Sequence, residues 1–201
     1  MHNIFTRIVI ALFATTLFIT TSTANAIDKN QAALLRKGKA CFERSDYNSA
    51  LANFLKYIQT EETHTPKDTA NLLDTYYNIG GIYSIYQDYA QALDIYENGY
   101  QLSCAANNAD MQFKFLNNMI GANCDIGKTG EARKLNAKVK LIKGVDHGML
   151  MFYYYFNNGF IAGFEKQDNE KAHWMNMAIA TVKRNNLPQK YLVFPYSEVY
   201  Q

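Results

Sequence analysis

Residues 76–99 read YYNIGGIYSIYQDYAQALDIYENG, two amphipathic runs meeting at a short turn. Ile79, Gly80, Tyr83, Tyr89, Ala92, Leu93 and Tyr96 follow at offsets +0, +1, +4, +10, +13, +14 and +17. On two helices these spacings collect the residues on packed faces. Gly80 lets the helices approach closely, and Tyr83 fills the space beside it. Ala92 belongs where the second helix crosses the first, and Tyr96 packs one turn later.

The same spacing recurs on both sides. Before it, Gly38, Cys41, Tyr47, Ala50, Leu51 and Phe54 take the places of Gly80, Tyr83, Tyr89, Ala92, Leu93 and Tyr96. Helices are predicted from about Lys29 to Arg44 and Tyr47 to Gln59, then Lys67 to Tyr86 and Tyr89 to Asn107, with Pro66 in the first turn of the third. After it, Ile120, Gly121 and Cys124 match the first helix of the central pair. Gly127 to Gly130 reads as a turn one residue shorter, and Glu131-Ala132 opens the next helix. Asn136 stands where an aromatic is due, and Leu135, Val139 and Ile142 supply an apolar stripe instead. A fourth copy has a clear second helix, about Asn169 to Arg184, with Ala172, Met175, Ile179 and Val182 on one face. Its first half, Met149 to Phe164, is almost wholly apolar, so periodicity does not separate helix from strand there. The surrounding repeat demands a helix, and Gly159 and Gly163 allow close packing. Ala50, Ala92, Ala132 and Ala172 are spaced 42, 40 and 40 residues apart.

This pattern resembles the tetratricopeptide repeat (TPR) family, whose usual period is about 34 residues; the excess corresponds to about one extra turn per helix. The resemblance covers nearly all of Gln31 to Arg184. It implies an all-α fold, a right-handed α-solenoid of stacked antiparallel helix pairs. There would be about four repeats (29–64, 66–108, 109–146 and 147–186) and a partial fifth over 187–201. In that family ligand contacts come mostly from first-helix positions on the concave surface. Carried onto this sequence they are Leu35, Lys39 and Phe42, then Asp74, Tyr77, Asn78 and Gly81. The third and fourth sets are Phe115, Asn118, Ala122 and Asp125, then Tyr154, Asn157, Asn158 and Ile161. Asn78, Asn118 and Asn157 recur at similar heights, and a ladder of amides suits an extended peptide backbone. Asp74 and Asp125 add negative charge, so a cluster that clamps a terminal carboxylate is not expected.

The ends of the chain carry two further expectations. His2 and Arg7 precede an apolar run, Ile8 to Ile19, and a polar stretch ending Ala24-Asn25-Ala26. This is the pattern of a secretory signal cleaved after Ala26, with an apolar core too short to span a bilayer. The mature part, 27–201, is then a single solenoid domain in the periplasm. At the other end, LPQKYLVFPYSEVYQ reads as the start of a fifth first helix with no partner helix, which suggests a piece of a longer parent.

Composition narrows the function. The chain has 201 residues, a formal charge of +2 and 48% apolar residues, which fits one globular domain and not a strongly basic nucleic-acid binder. Cys41, Cys104 and Cys124 are an odd set, and their repeat positions argue for free, mostly buried thiols rather than a bridge. No Cys or His pair has metal-ligand spacing, and His64, His147 and His173 have no adjacent nucleophile. The paired glycines match no phosphate loop. Lys128 to Lys143 carries six basic residues and one acidic one, a solvated convex face. Neither cofactor nor catalysis is expected. The expected function is a non-enzymatic scaffold that binds a peptide or protein segment in its concave groove. The alternative rests on a second resemblance, to the exported sensor halves of membrane-bound TPR regulators in Bacteroidetes-type bacteria.

Overall fold

The computed structural model describes residues 29–62 and 68–199, and every regular element among them is helical. The leader expected over 1–26, His64, Pro66 and Gln201 lie outside the described residues. The chain divides into two compact units, one reaching to Lys67 and one starting at Asp68. The first contains α1 (residues 29–43) and α2 (Tyr47–Glu62). The second contains α3 (Thr69–Ile85), α4 (Tyr89–Ala105), α5 (Ala109–Asp125) and α6 (Thr129–Val139). It continues with α7 (His147–Phe164), α8 (Asp168–Arg184), a 3-10 turn (Gln189–Leu192) and α9 (Val193–Val199). Within this unit each helix packs on the next. In addition α3 touches α5 and α5 touches α7, so the first helices form one row of a TPR-like solenoid. The apolar stretch before Phe164 is helical, as the repeat requires, and the tail forms the 3-10 turn and the short α9, which packs on α8.

The turns explain why six different sequences stop helices in the same way. Ser45, Gln87, Asn107, Lys166 and Asn186 all have positive φ, as does Gly127. After each, the next N–H reaches back five residues, for example from Asp46 to the Cys41 carbonyl and from Asp88 to the Tyr83 carbonyl, both at 2.9 Å. This is the Schellman closure. The same residue then caps the following helix: Asp46, Asp88 and Asn108 accept from the N–H groups of Ser49, Gln91 and Met111. Each such cap stabilises by about 1 kcal/mol.

The caps also fix the register, and they correct it. Asp68 and Asn108 lie 40 residues apart, and so do Gln87 and Gly127. Gly121 therefore stands with Gly81, and Ile120 with Gly80; the expected matches of Gly80 with Gly121 and of Tyr83 with Cys124 are off by one residue. The third turn is not shorter, and α6 begins at Thr129. Packing confirms this register. A Cβ on Gly80 would lie 2.2 Å from the Tyr96 ring, and one on Gly38 would lie 2.6 Å from Phe54. In the third repeat Asn136 replaces the aromatic, so Ile120 fits where glycine was needed. In the fourth, a Cβ on Gly159 would lie 2.9 Å from the Met175 side chain. Counting from Lys166, the small-residue position held by Ala50, Ala92 and Ala132, all fully buried, falls on Lys171. Ala172, expected there, is only half-buried.

The core of the second unit centres on Phe115, Leu116, Ile120, Ala132, Val139 and Ile161. Phe115 is fully buried, over Gly99 on α4 and beside the Tyr96 and Tyr77 rings. Between the third and fourth repeats the contact turns polar. Buried Asn136 donates to the Tyr154 carbonyl at 2.9 Å and accepts from Asn157 Nδ2 at 3.2 Å. Of the cysteines, Cys41 and Cys124 are buried, but Cys104 is exposed, at the end of α4. Burial pushes the Cys124 thiol up to about 11, so it packs as a small hydrophobe.

The basic run around α6 is largely engaged. Lys134 pairs with Glu131, and Lys138 and Lys140 lie over the Tyr100 and Tyr154 rings. Arg133 donates to Glu165 and to Glu170, tying α6 to the fourth repeat. The Arg133 hydrogen bond holds the Glu165 carboxyl below its ordinary value of 4.5. A lowered folded value means that the pair stabilises above pH 4.5 and that this contribution is lost as pH falls through the folded value. Arg133→Met is therefore expected to cost about 1 kcal/mol at pH 7 and to flatten the acid limb of the stability curve. Urea unfolding at pH 3 to 7 measures this, and parallel curves for the two proteins would contradict it.

Candidate binding site

A cleft of about 810 Å3 opens along the first-helix row of the second unit. Its floor is α5, which presents Asn117, Asn118, Gly121, Ala122 and Asp125 at helical spacing. Facing these, α7 supplies Phe156, Asn157, Gly159, Phe160, Gly163 and Phe164. Ser84 and Tyr96 border the cleft on the α3–α4 side, and Lys171, Met175, Phe194 and Glu198 on the α8–α9 side.

The surface is chiefly aromatic. The Phe160 and Phe164 rings meet one turn apart, tilted at 57° with centroids 5.0 Å apart, and both are more than a third exposed. Phe194, from α9, is 68% exposed. Large apolar side chains in contact with water at the mouth of one cavity mark a surface that gains by being covered. The floor is smooth because Gly121 carries no side chain, and a Cβ there would meet no other atom within 4 Å.

The polar groups are few and mostly held. The Tyr96 hydroxyl lies 3.3 Å from Ser84 Oγ and interacts with Asn118; burial pushes its pKa up, so it stays a neutral donor. Lys171 Nζ pairs with Glu198 at 2.5 Å, joining α8 to α9. Asp125 is exposed at the end of α5 and interacts with the Tyr89 hydroxyl. No group of His, Cys, Asp and Glu that could hold a metal ion occurs among the described residues.

The sequence-predicted residues are scattered. Asn118, Asp125 and Asn157 line the cleft, and so does Ala122. Phe115 does not: it is core, and its register position faces the preceding repeat. Asn158 is likewise buried, with an Nδ2 that has no hydrogen-bond partner. Tyr154 sits under Lys140 and beside Trp174 and Tyr155, outside the cleft. Tyr77 is exposed with its edge on Phe115, Asp74 is exposed and Asn78 half-buried on α3. Lys39 and Phe42 belong to the first unit, where both are half-buried and Phe42 meets Tyr47 edge-on. Gly121, Phe160, Phe164, Lys171 and Phe194 were not expected. A helix as apolar as α7 shows no periodicity from which to choose its exposed face. Lys171 could have been found by counting from the turn rather than matching alanines.

No family model matches the chain, and no curated protein matches it by sequence. Solved structures do. The chain superposes on BtubC (BKLC) from P. vanneervenii with a TM-score of 0.65 at 13% identity, covering 87% of this chain and 82% of that one. It superposes on apo RapI with a TM-score of 0.71 at 12% identity, covering 84% of this chain and 61% of RapI. For a MamA double mutant from RS-1 the TM-score is 0.54 at 14% identity, over 85% and 92% of the two chains. At these identities the likeness establishes the shared fold.

Proposed function

We propose that this protein is a non-catalytic scaffold that holds a peptide or an extended protein segment in the cleft between α5 and α7. The observation that carries this reading is the cleft itself: solvated phenylalanines over a glycine floor, with Asn117 and Asn118 beside them. Aromatic side chains supply anchoring area, and amides can meet a peptide's N–H and C=O groups together. The helical fold shared with the solved structures is compatible with such a role without specifying it. We also place the protein outside the cytoplasm, from the leader pattern in residues 1–26; mass measurement of the mature chain from fractionated cells would test cleavage after Ala26.

Binding can be tested with a phage-displayed library of random dodecapeptides, panned against the full chain. Phe160→Glu with Phe164→Glu should abolish capture of the selected peptides. The double variant should still unfold cooperatively, with a midpoint lowered less than by a core substitution, because both rings are more than a third exposed. Peptides that bind the double variant as well as the parent would place the binding surface elsewhere.

A further inference from the structure

We propose that the occupant of the cleft is a cationic, apolar segment. A large apolar or aromatic side chain covers Phe160 and Phe164, and a neighbouring lysine or arginine meets Asp125. This inference rests on the reading of the cleft as the binding site, and it adds the chemistry of the partner.

Charge bookkeeping within the cleft supports it. The ionisable lining groups are Asp125, Lys171 and Glu198. Lys171 and Glu198 neutralise each other at 2.5 Å. Arg133 is the nearest strong cation on α6, but it is committed to Glu165 and Glu170. The Tyr89 hydroxyl that interacts with Asp125 brings a hydrogen-bonding group and no charge. Asp125 therefore leaves the cleft one negative charge beside an apolar surface. Among the residues that line the cleft no uncommitted cation would compensate an acidic ligand, whereas a cationic one completes the charge.

The helix floor gives the second argument. Glycine in a helix interior is about 1 kcal/mol less favourable than alanine. Gly80 has a reason to be glycine, the Tyr96 ring. Gly121 has none inside the protein, since a Cβ there would point into open space. It lies one turn before Asp125 on the same face of α5 and lines the same cleft as Phe160. A missing side chain at this place lets the main chain of a ligand lie close to α5 while its side chains reach Asp125 on one side and the phenylalanines on the other. Arginine suits both, since its guanidinium pairs with carboxylates and stacks on aromatic faces.

The same dodecapeptide selection decides the matter. Enriched peptides should carry Lys or Arg within a few residues of Phe, Trp, Leu or Met. The best of them, made synthetically and fluorescein-labelled, should bind about tenfold more weakly to Asp125→Asn, and the difference should shrink in 0.5 M salt. Panning Asp125→Lys should shift enrichment toward acidic peptides. Acidic or charge-neutral peptides from the parent, or equal affinity for Asp125→Asn, would overturn the inference. If such peptides were still lost on Phe160→Glu, the cleft would remain the binding site. No enrichment at all, or binding insensitive to both substitutions, would overturn the inference and the underlying reading together.

Discussion

Gly80→Ile is expected to destabilise the protein by about 3 kcal/mol, and a second substitution, Tyr96→Asn, is expected to restore at least half of that. The first effect follows from geometry. Even a single added carbon at position 80 would come within 2.2 to 2.8 Å of three Tyr96 ring atoms, and isoleucine adds three more. The ring has little room to retreat, because Tyr96 is 2% exposed and packs beside Phe115. The rescue is already present in the molecule. Forty residues on, Ile120 and Asn136 occupy these two positions, both buried. There the asparagine donates to the Tyr154 carbonyl and accepts from Asn157. By the same register an asparagine at position 96 would face the Phe115 carbonyl and Asn118. Urea unfolding of the parent, both single variants and the double variant forms a complete cycle. A double variant no more stable than Gly80→Ile would mean that the repeats are not in the register that their caps indicate.

Phe115→Ala should cost about 3 to 5 kcal/mol, the range for deleting a fully buried phenylalanine. Its ring fills the space over Gly99, which has no side chain of its own to fill the cavity. In contrast, Phe160→Ala should cost much less, about 1 kcal/mol, since that ring is already 37% exposed. The two residues are both phenylalanines on first helices. Comparing their unfolding midpoints therefore separates core from cleft without a ligand. A small loss at Phe115 would remove it from the core; a large loss at Phe160 would make that ring structural and weaken its role as an anchor.

The contrast between these residues shows what the sequence can and cannot reveal. The helix pairs were legible because their ends are chemical signals: Asp46, Asp88 and Asn108 are good caps, and the pairs Gly38–Phe54 and Gly80–Tyr96 preserve one packing motif at one spacing. The third repeat misled because Ile79-Gly80 and Ile120-Gly121 look alike while their glycines serve different ends. One accommodates a ring inside the protein and the other opens a surface. The cleft was legible on α5, where Asn118 and Asp125 interrupt an apolar face. It was not legible on α7, where polar residues are few and the two central asparagines are buried. The contribution of α9 depends on the Lys171–Glu198 pair, a contact across 27 positions that local pattern does not encode.

The amide contact between Asn136 and Asn157 has a mechanical consequence. The two long walls of the cleft, α5 and α7, lie on either side of α6, which at 11 residues is shorter than the 17-residue α4. A connection of 140–146 follows it, with Leu141 75% exposed. Both amides are buried, so their hydrogen bond is costly to break and pins α6 to α7 at one point. Beyond that point the short helix ends in an exposed connection, whereas Phe115 over Gly99 interlocks α5 with α4 and must be withdrawn before its neighbours can slide. The stiffness of the cleft is thus unevenly distributed, with a compliant joint under one wall and a rigid one under the other. Amide hydrogen exchange should find α6 and 140–146 opening before α4 and α5; equal protection would show a uniform spring. On the binding role proposed for the cleft, such a joint would let it widen for bulkier segments while Asp125, on α5, stays in place, so selectivity for side-chain size would be looser than selectivity for charge.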